Sequence, residues 1–176
     1  ALLLGVSAAD AGVIDTYAGG GNGDGADASG ATIEPRGMTI VGGGASPDIY
    51  IADGRNHRVR RVDGATGIIE TVAGSGVSGF SGDGGSAVNA RLNLPLDVAR
   101  DSAGNLYIAD MNNNRVRKVT PSGQISTFAG NGNLSYSGDG GLAVNAALNS
   151  PYGVAVGPDG YVYIADYGNN RIRRVG

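Results

Sequence analysis

Hydrophobic and polar positions alternate along most of this chain in short runs, each closed by Gly, Asn or Asp. Alternation with a period of two, in runs rich in Val, Ile, Thr and Tyr, marks half-buried β-strands. A first set of runs covers 37–41, 49–53, 58–62 and 68–74. A second set, 97–100, 106–110, 115–119 and 125–130, repeats it; a third, 153–156, 162–166 and 171–175, matches its first three members. The turns are chemically specific. Ala103-Gly104-Asn105 and Pro158-Asp159-Gly160 join first strands to second, while Ala65-Thr66-Gly67 and Ser122-Gly123 join third strands to fourth. All carry residues that tolerate positive φ. The sequence therefore predicts four-stranded antiparallel meanders.

The meanders recur in register. Ile49-Tyr50-Ile51-Ala52-Asp53 returns as Leu106-Tyr107-Ile108-Ala109-Asp110 and as Val162-Tyr163-Ile164-Ala165-Asp166, with the aspartates 57 and 56 residues apart. One such unit cannot bury its own apolar face, so units must stack. Stacked four-stranded meanders are the blades of an all-β propeller. The run x-Tyr-Ile-Ala-Asp-x-x-Asn-x-Arg-Val/Ile-Arg resembles the signature of NHL-repeat β-propellers, and the Ser-Gly-Asp-Gly-Gly linkers resemble those of secreted bacterial members. The resemblance covers residues 13–176. It implies a six-bladed ring, of a family whose members bind proteins, nucleic acid or other ligands and a minority of whose relatives are enzymes.

Blades are expected over 35–74, 95–130 and 151–176. Residues 13–19 align with 68–74 and form a lone outer strand, while the last blade lacks its fourth strand; the N-terminal strand would complete it. Three blade equivalents are too few for a ring of about four to eight. Either the chain is part of a longer one, or two copies pair as half-rings, each donating its N-terminal strand to the other. Residues 1–12, with Leu2-Leu3-Leu4 followed by small residues, read as a signal-peptide remnant or a disordered start. That points to a secreted, periplasmic or cell-envelope protein. The apolar run is far short of the ~20 residues of a membrane-spanning helix.

Composition narrows the chemistry. With 176 residues, 41% of them apolar, there is room for one domain with a real core. The 33 glycines follow the repeat and belong to turns. Net charge of −3 gives no general attraction to nucleic acid or anionic membrane. Without cysteine there is no disulfide framework, thiolate nucleophile or Cys-ligated zinc. His57, the one histidine, has Asn114 and Asn170 as counterparts and reads as a turn residue rather than a general base. No catalytic residue and no metal site is assigned.

Positions that differ between copies are the binding candidates. Arg36, Leu96 and Tyr152 follow the three blade-opening prolines and should enter the central channel, with Asp97 next in line where the other copies have Gly37 and Gly153. Arg55, His57, Met111 and Tyr167 occupy the turns after second strands, on the same face as the long linkers. Exposed apolar and aromatic groups there suit a protein or small ligand. Asp53, Asp110 and Asp166, each followed five residues later by Arg58, Arg115 or Arg171, read as a structural clamp of the turn. Nine of the thirteen basic residues lie on third strands; the RNA contact this basic arc would allow lacks interleaved aromatics. The linkers 81–85 and 137–141 carry one Asp each, too few for a calcium loop, so no cofactor is expected and calcium is the weaker reading. The function expected is a non-catalytic binding module; the alternatives are a metal-dependent propeller lyase or lactone hydrolase and, third, RNA binding.

Overall fold

The computed structural model describes residues 17–18, 24–44 and 46–176. Within them lie three antiparallel sheets. The first holds β1 (Pro35–Val41), β2 (Asp48–Asp53), β3 (Arg58–Val62) and β4 (Ile69–Ala73). The second holds β5 (Pro95–Arg100), β6 (Leu106–Asp110), β7 (Arg115–Val119) and β8 (Ile125–Ala129). The third holds β9 (Pro151–Val156), β10 (Val162–Asp166) and β11 (Arg171–Val175). Each strand pairs only with its neighbours in sequence, so every sheet is a meander and a blade.

The strands fall within a residue of the alternating runs except at one recurrent place. Each first strand starts two residues early, at Pro35, Pro95 or Pro151. Proline is tolerated there because it opens an edge strand, where a ladder donor is dispensable. An extra residue follows it: Pro95 faces Asp110 but Asp97 faces Ala109, and Pro151 faces Asp166 while Gly153 faces Ala165. The same break separates Pro35 from Met38 in β1. These are β-bulges, which bend a strand and re-aim the side chain of the added residue.

The blades pack face to face. β5 lies against both β1 and β9, so the first strands gather along one axis. One core joins Tyr50, Val59 and Ala73 of the first blade to Val98, Ile108 and Val119 of the second. Another joins Ala109, Val116 and Ala129 of the second to Val154, Val162 and Ile164 of the third. A smaller core on the far side of the first blade gathers Ile51, Val62 and Ile69 under Ala28 and Ala31, with Ala18 packed against it.

The long linker between β4 and β5 crosses to the second blade and pairs with the edge of β8. The Gly84 amide donates to the Ile125 carbonyl at 2.8 Å, the Ile125 amide to Gly85 at 3.0 Å, and the Ala87 amide to Gly123 at 2.8 Å. Gly25, Ala26 and Ala28 make the same three bonds with Ile69 and Gly67. The linker continues in a single 3₁₀ turn, Ala87–Asn89, repeated at Ala143–Asn145. Positive φ at Gly82 and Gly84 makes the preceding bend (95° and 83°), which a side chain would strain. Of the expected N-terminal strand only Tyr17 and Ala18 are among the described residues; 1–12 lie outside them.

Candidate functional site

The repeated aspartates are fully buried at the ends of second strands. Asp110 accepts from the Asn93 amide at 2.7 Å and from Asn113 Nδ2 at 2.8 Å; Asp166 accepts from Asn149 at 2.7 Å and Asn169 at 2.8 Å; Asp53 accepts from Glu34 at 2.6 Å and Asn56 at 2.8 Å. The arginine partner is not the one expected. Asp53, Asp110 and Asp166 pair with Arg60, Arg117 and Arg173, at 3.6, 3.5 and 3.2 Å, and not with Arg58, Arg115 and Arg171. Arg115 turns outward to the Asn113 and Asn131 carbonyls and stacks on Phe80 at 3.8 Å; Arg171 stacks on Tyr136 at 3.9 Å. The arginine two residues later shares the strand face and reaches the carboxylate from the buried side.

The same buried arginines bind the linkers. Arg60 pairs with Asp24, Arg117 with Asp83, and Arg173 with Asp139 at 2.6 Å. The Asp of each Ser-Gly-Asp-Gly-Gly linker thus latches it to the next blade, a role missed in the sequence although Asp83 and Asp139 recur at one place. Arg61 is held by Asp48, Asp63 and Glu70 at 2.8–2.9 Å. The basic arc is therefore largely buried, stacked or paired, which removes it as an open phosphate-binding surface.

His57 Nδ1 accepts the Leu94 amide of the next blade at 3.1 Å, and Asn114 Oδ1 accepts the Ser150 amide at 3.0 Å. Both hold left-handed backbone, φ 54° and 51°. His57 thus clips two blades together, and it is not among the residues that line the axial depression.

The bulge residues do converge. Arg36, Leu96 and Tyr152, with Gly37, Asp97 and Gly153, line a depression of about 440 Å³ at the blade axis. Leu96 is buried and forms its wall, while Tyr152 is exposed. The Tyr152 ring lies 5.7 Å from that of Tyr167, in the turn after β10. A first-strand bulge and a second-strand turn thus share one rim. Arg36 Nη2 and Arg55 Nε both meet Glu34 Oε1, at 3.2 and 3.3 Å. Met111 occupies the corresponding turn of the second blade, half-buried.

Asp97 forms the floor. One oxygen accepts the Val98 amide and the other the Val154 amide of the next blade, both at 2.9 Å. Burial pushes its carboxyl above the usual range, against those two hydrogen bonds. Gly37 and Gly153 flank it, and a Cβ on Gly37 would collide with Asp97 Oδ1. Among the described residues, no group of three or more His, Cys, Asp or Glu side chains is close enough to hold a metal ion.

A model of the teneurin NHL domain matches residues 114–176, and a model of the NHL repeat matches 92–119. These units are NHL repeats. The chain is an arc of an NHL-repeat β-propeller, and its solved neighbours share that fold. NHL repeat-containing protein 2 from Bos taurus is 30% identical over 148 residues, which is 80% of this chain and 20% of that protein. A protein of unknown function from Bacteroides thetaiotaomicron VPI-5482 superposes with a TM-score of 0.64 at 26% identity, over 72% of this NHL chain and 32% of its own. An auxiliary nutrient binding protein from Bacteroides ovatus ATCC 8483 gives 0.57 at 26% identity, over 73% and 34%. The NHL arc thus spans about a fifth of that relative and a third of each solved neighbour. No helix among its described residues is long and apolar enough to cross a membrane.

Proposed function

We propose that this NHL arc is a non-catalytic binding module that takes a small organic ligand in the axial depression. The observation that carries the reading is the division of labour between copies. Residues alike in all copies are bound up in clamps and latches, whereas Arg36, Leu96 and Tyr152, which differ, are gathered by the bulges on one concavity. Its chemistry is mixed: an aromatic pair at one rim, an arginine opposite, and an apolar wall between them. Such a surface stacks on a ring and orients a polar or anionic substituent. Resemblance to an auxiliary nutrient binding protein supports the class. The small residues after Leu2-Leu3-Leu4 support an exported protein.

The test is a ligand-observed NMR screen of sugars, amino acids, nucleosides and short peptides, followed by titration of each hit. Ligands of this site bind at least tenfold more weakly to the Y152A/Y167A variant, and Arg36→Ala weakens anionic hits selectively. Hits whose affinity ignores both changes would place binding elsewhere.

A further inference from the structure

Asp97 differs from the other acidic residues in what it lacks. Among the described residues, every other buried or half-buried carboxylate meets a side-chain donor. Glu34, Asp48, Asp53, Asp63, Asp110 and Asp166 pair with arginines, and Asp101 accepts from Asn105 and Tyr107. Asp97 is half-buried and accepts only the backbone amides of Val98 and Val154. An ionised carboxylate has about four acceptor sites, so roughly half of its capacity is unused. Burial also works against its charge, with no cation beside it in compensation.

This carboxylate sits in the middle blade, with β5 flanked by β1 and β9, so both of its lateral neighbours are in place. Those neighbours are Gly37 and Gly153, which stand where the second blade has Asp97. Neither brings a side chain to cover the carboxylate. A Cβ on Gly37 would collide with Oδ1, and one on Gly153 would touch Oδ2 at 3.6 Å. The two glycines thus leave Asp97 facing the depression that it lines. Arg36 lines the same depression but is drawn to Glu34, at 3.2 Å, which offsets its charge. At the rim, the paired rings of Tyr152 and Tyr167 carry negative faces that attract cations.

We propose that the ligand of the axial depression carries a protonated amine that seats on Asp97, with an apolar or aromatic group against Leu96 and Tyr152. The assignment rests on the reading that this depression binds a small organic ligand. It narrows that ligand to amines, amino acids with a free α-amino group included. An ammonium group brings up to three donors for the unused acceptor sites and also the counter-charge that Asp97 lacks. A pair of hydroxyls brings the donors without the charge. Hydrogen bonds between ionised partners are about twice as strong as neutral ones, so the amine gains more from this seat than an alcohol of the same shape. In a zwitterion, the second charge falls to Arg36, the cation of the same concavity. The depression, about 440 Å³, is in the size range of small-molecule sites.

Matched probes test this by calorimetric titration near neutral pH: phenethylamine against phenethyl alcohol, tryptamine against tryptophol, and phenylalanine against hydrocinnamate. In at least one pair the amine should bind tenfold or more tightly than its partner. Asp97→Gly installs the residue that the other two blades carry at this place, and Asp97→Asn keeps the shape without the charge. Either variant, once circular dichroism shows it folded, should erase the preference. Amines that bind no better than their partners, or whose advantage survives in a folded variant, overturn the proposal, and so does a set in which no amine binds. Sugars that need Asp97 while the amines do not bind would assign the seat to hydroxyls and overturn it too. Sugars that need Tyr152 and Tyr167 but not Asp97 would leave the depression a binding site without an amine seat, so this proposal can fail while the binding reading stands.

Discussion

Arg117→Met removes the centre of the best-formed latch. Arg117 is fully buried between Asp110, at 3.5 Å, and Asp83, and its Nη atoms also donate to the Ser81 and Arg91 carbonyls at 3.3 and 3.5 Å. Methionine keeps much of the side chain's volume but leaves Asp110 buried with only the Asn93 and Asn113 hydrogen bonds. Breaking a buried pair in this way costs about 3–5 kcal/mol, a fall in Tm of roughly 6–20 °C at the ~2–4 °C per kcal/mol of a chain this size. Asp83 is 42% exposed and rehydrates when released, so Asp83→Ala should cost only about 1–2 kcal/mol. The R117M/D110N double variant should be more stable than the sum of its singles predicts, because the stranded charge is gone. Urea unfolding followed by circular dichroism measures all three. An Arg117→Met cost below about 1 kcal/mol, or strict additivity in the double variant, would refute the claim that the Asp–Arg–Asp latch holds linker to blade.

Three further outcomes are expected. His57→Asn should be neutral to within ~0.5 kcal/mol, since Asn114 makes the same clip, whereas His57→Leu should cost ~1–3 kcal/mol by orphaning the Leu94 amide; equal losses on denaturation would dissolve the clip. Gly37→Ala should drive Asp97 off the Val98 and Val154 amides, and Asp97→Gly in the same chain should recover part of the lost Tm, the rest being held by the clash of the new Cβ with the Leu96 carbonyl; no recovery would show that the Gly37–Asp97 contact is not a cause. Burial pushes the Asp110 carboxyl up to about 6, above the ~3.9 of an unfolded chain. The folded state then binds this proton first, so Asp110 adds stability as pH falls from about 6 to 4. Urea midpoints should hold or rise to roughly pH 4.5. They then drop as carboxyls such as Asp101, held low against desolvation by Asn105 and Tyr107, take up protons. A steady decline from pH 7 contradicts this.

The fold was legible because two signals agreed: period-two alternation gave each strand, and recurrence of the Tyr-Ile-Ala-Asp run gave the stacking. The bulges were not, because alternation begins only after the extra residue. Arg36, Leu96 and Tyr152 were placed at the channel by following proline, without the backbone device that puts them there. The clamp was half legible. Asp53 and Arg58 stand directly opposite in the ladder, so pairing them is the natural reading of a hairpin; depth decides for Arg60, and depth is invisible in a local pattern. The clip made by His57 was hidden for a related reason. Its turn is on the expected face, but its ring points to the next blade, and only the Asn114–Ser150 counterpart reveals that contact.

Repetition explains why so much polar chemistry here is structural. A blade edge leaves unpaired backbone, and a linker glycine turn has no side chain with which to hold itself down. Each linker is fixed instead by one carboxylate onto a buried arginine whose charge a second, deeper carboxylate balances. That arginine satisfies two backbones at once, so neither aspartate can drift without stranding a charge. The constraint falls equally on every copy. It leaves free positions whose backbone is already fixed by other means, among them the bulge after each proline and the tip of each second-strand turn. The rim of the axis lies outside the latch, and Arg36, Leu96 and Tyr152 differ there, so binding chemistry can change from blade to blade at that rim without loosening the fold.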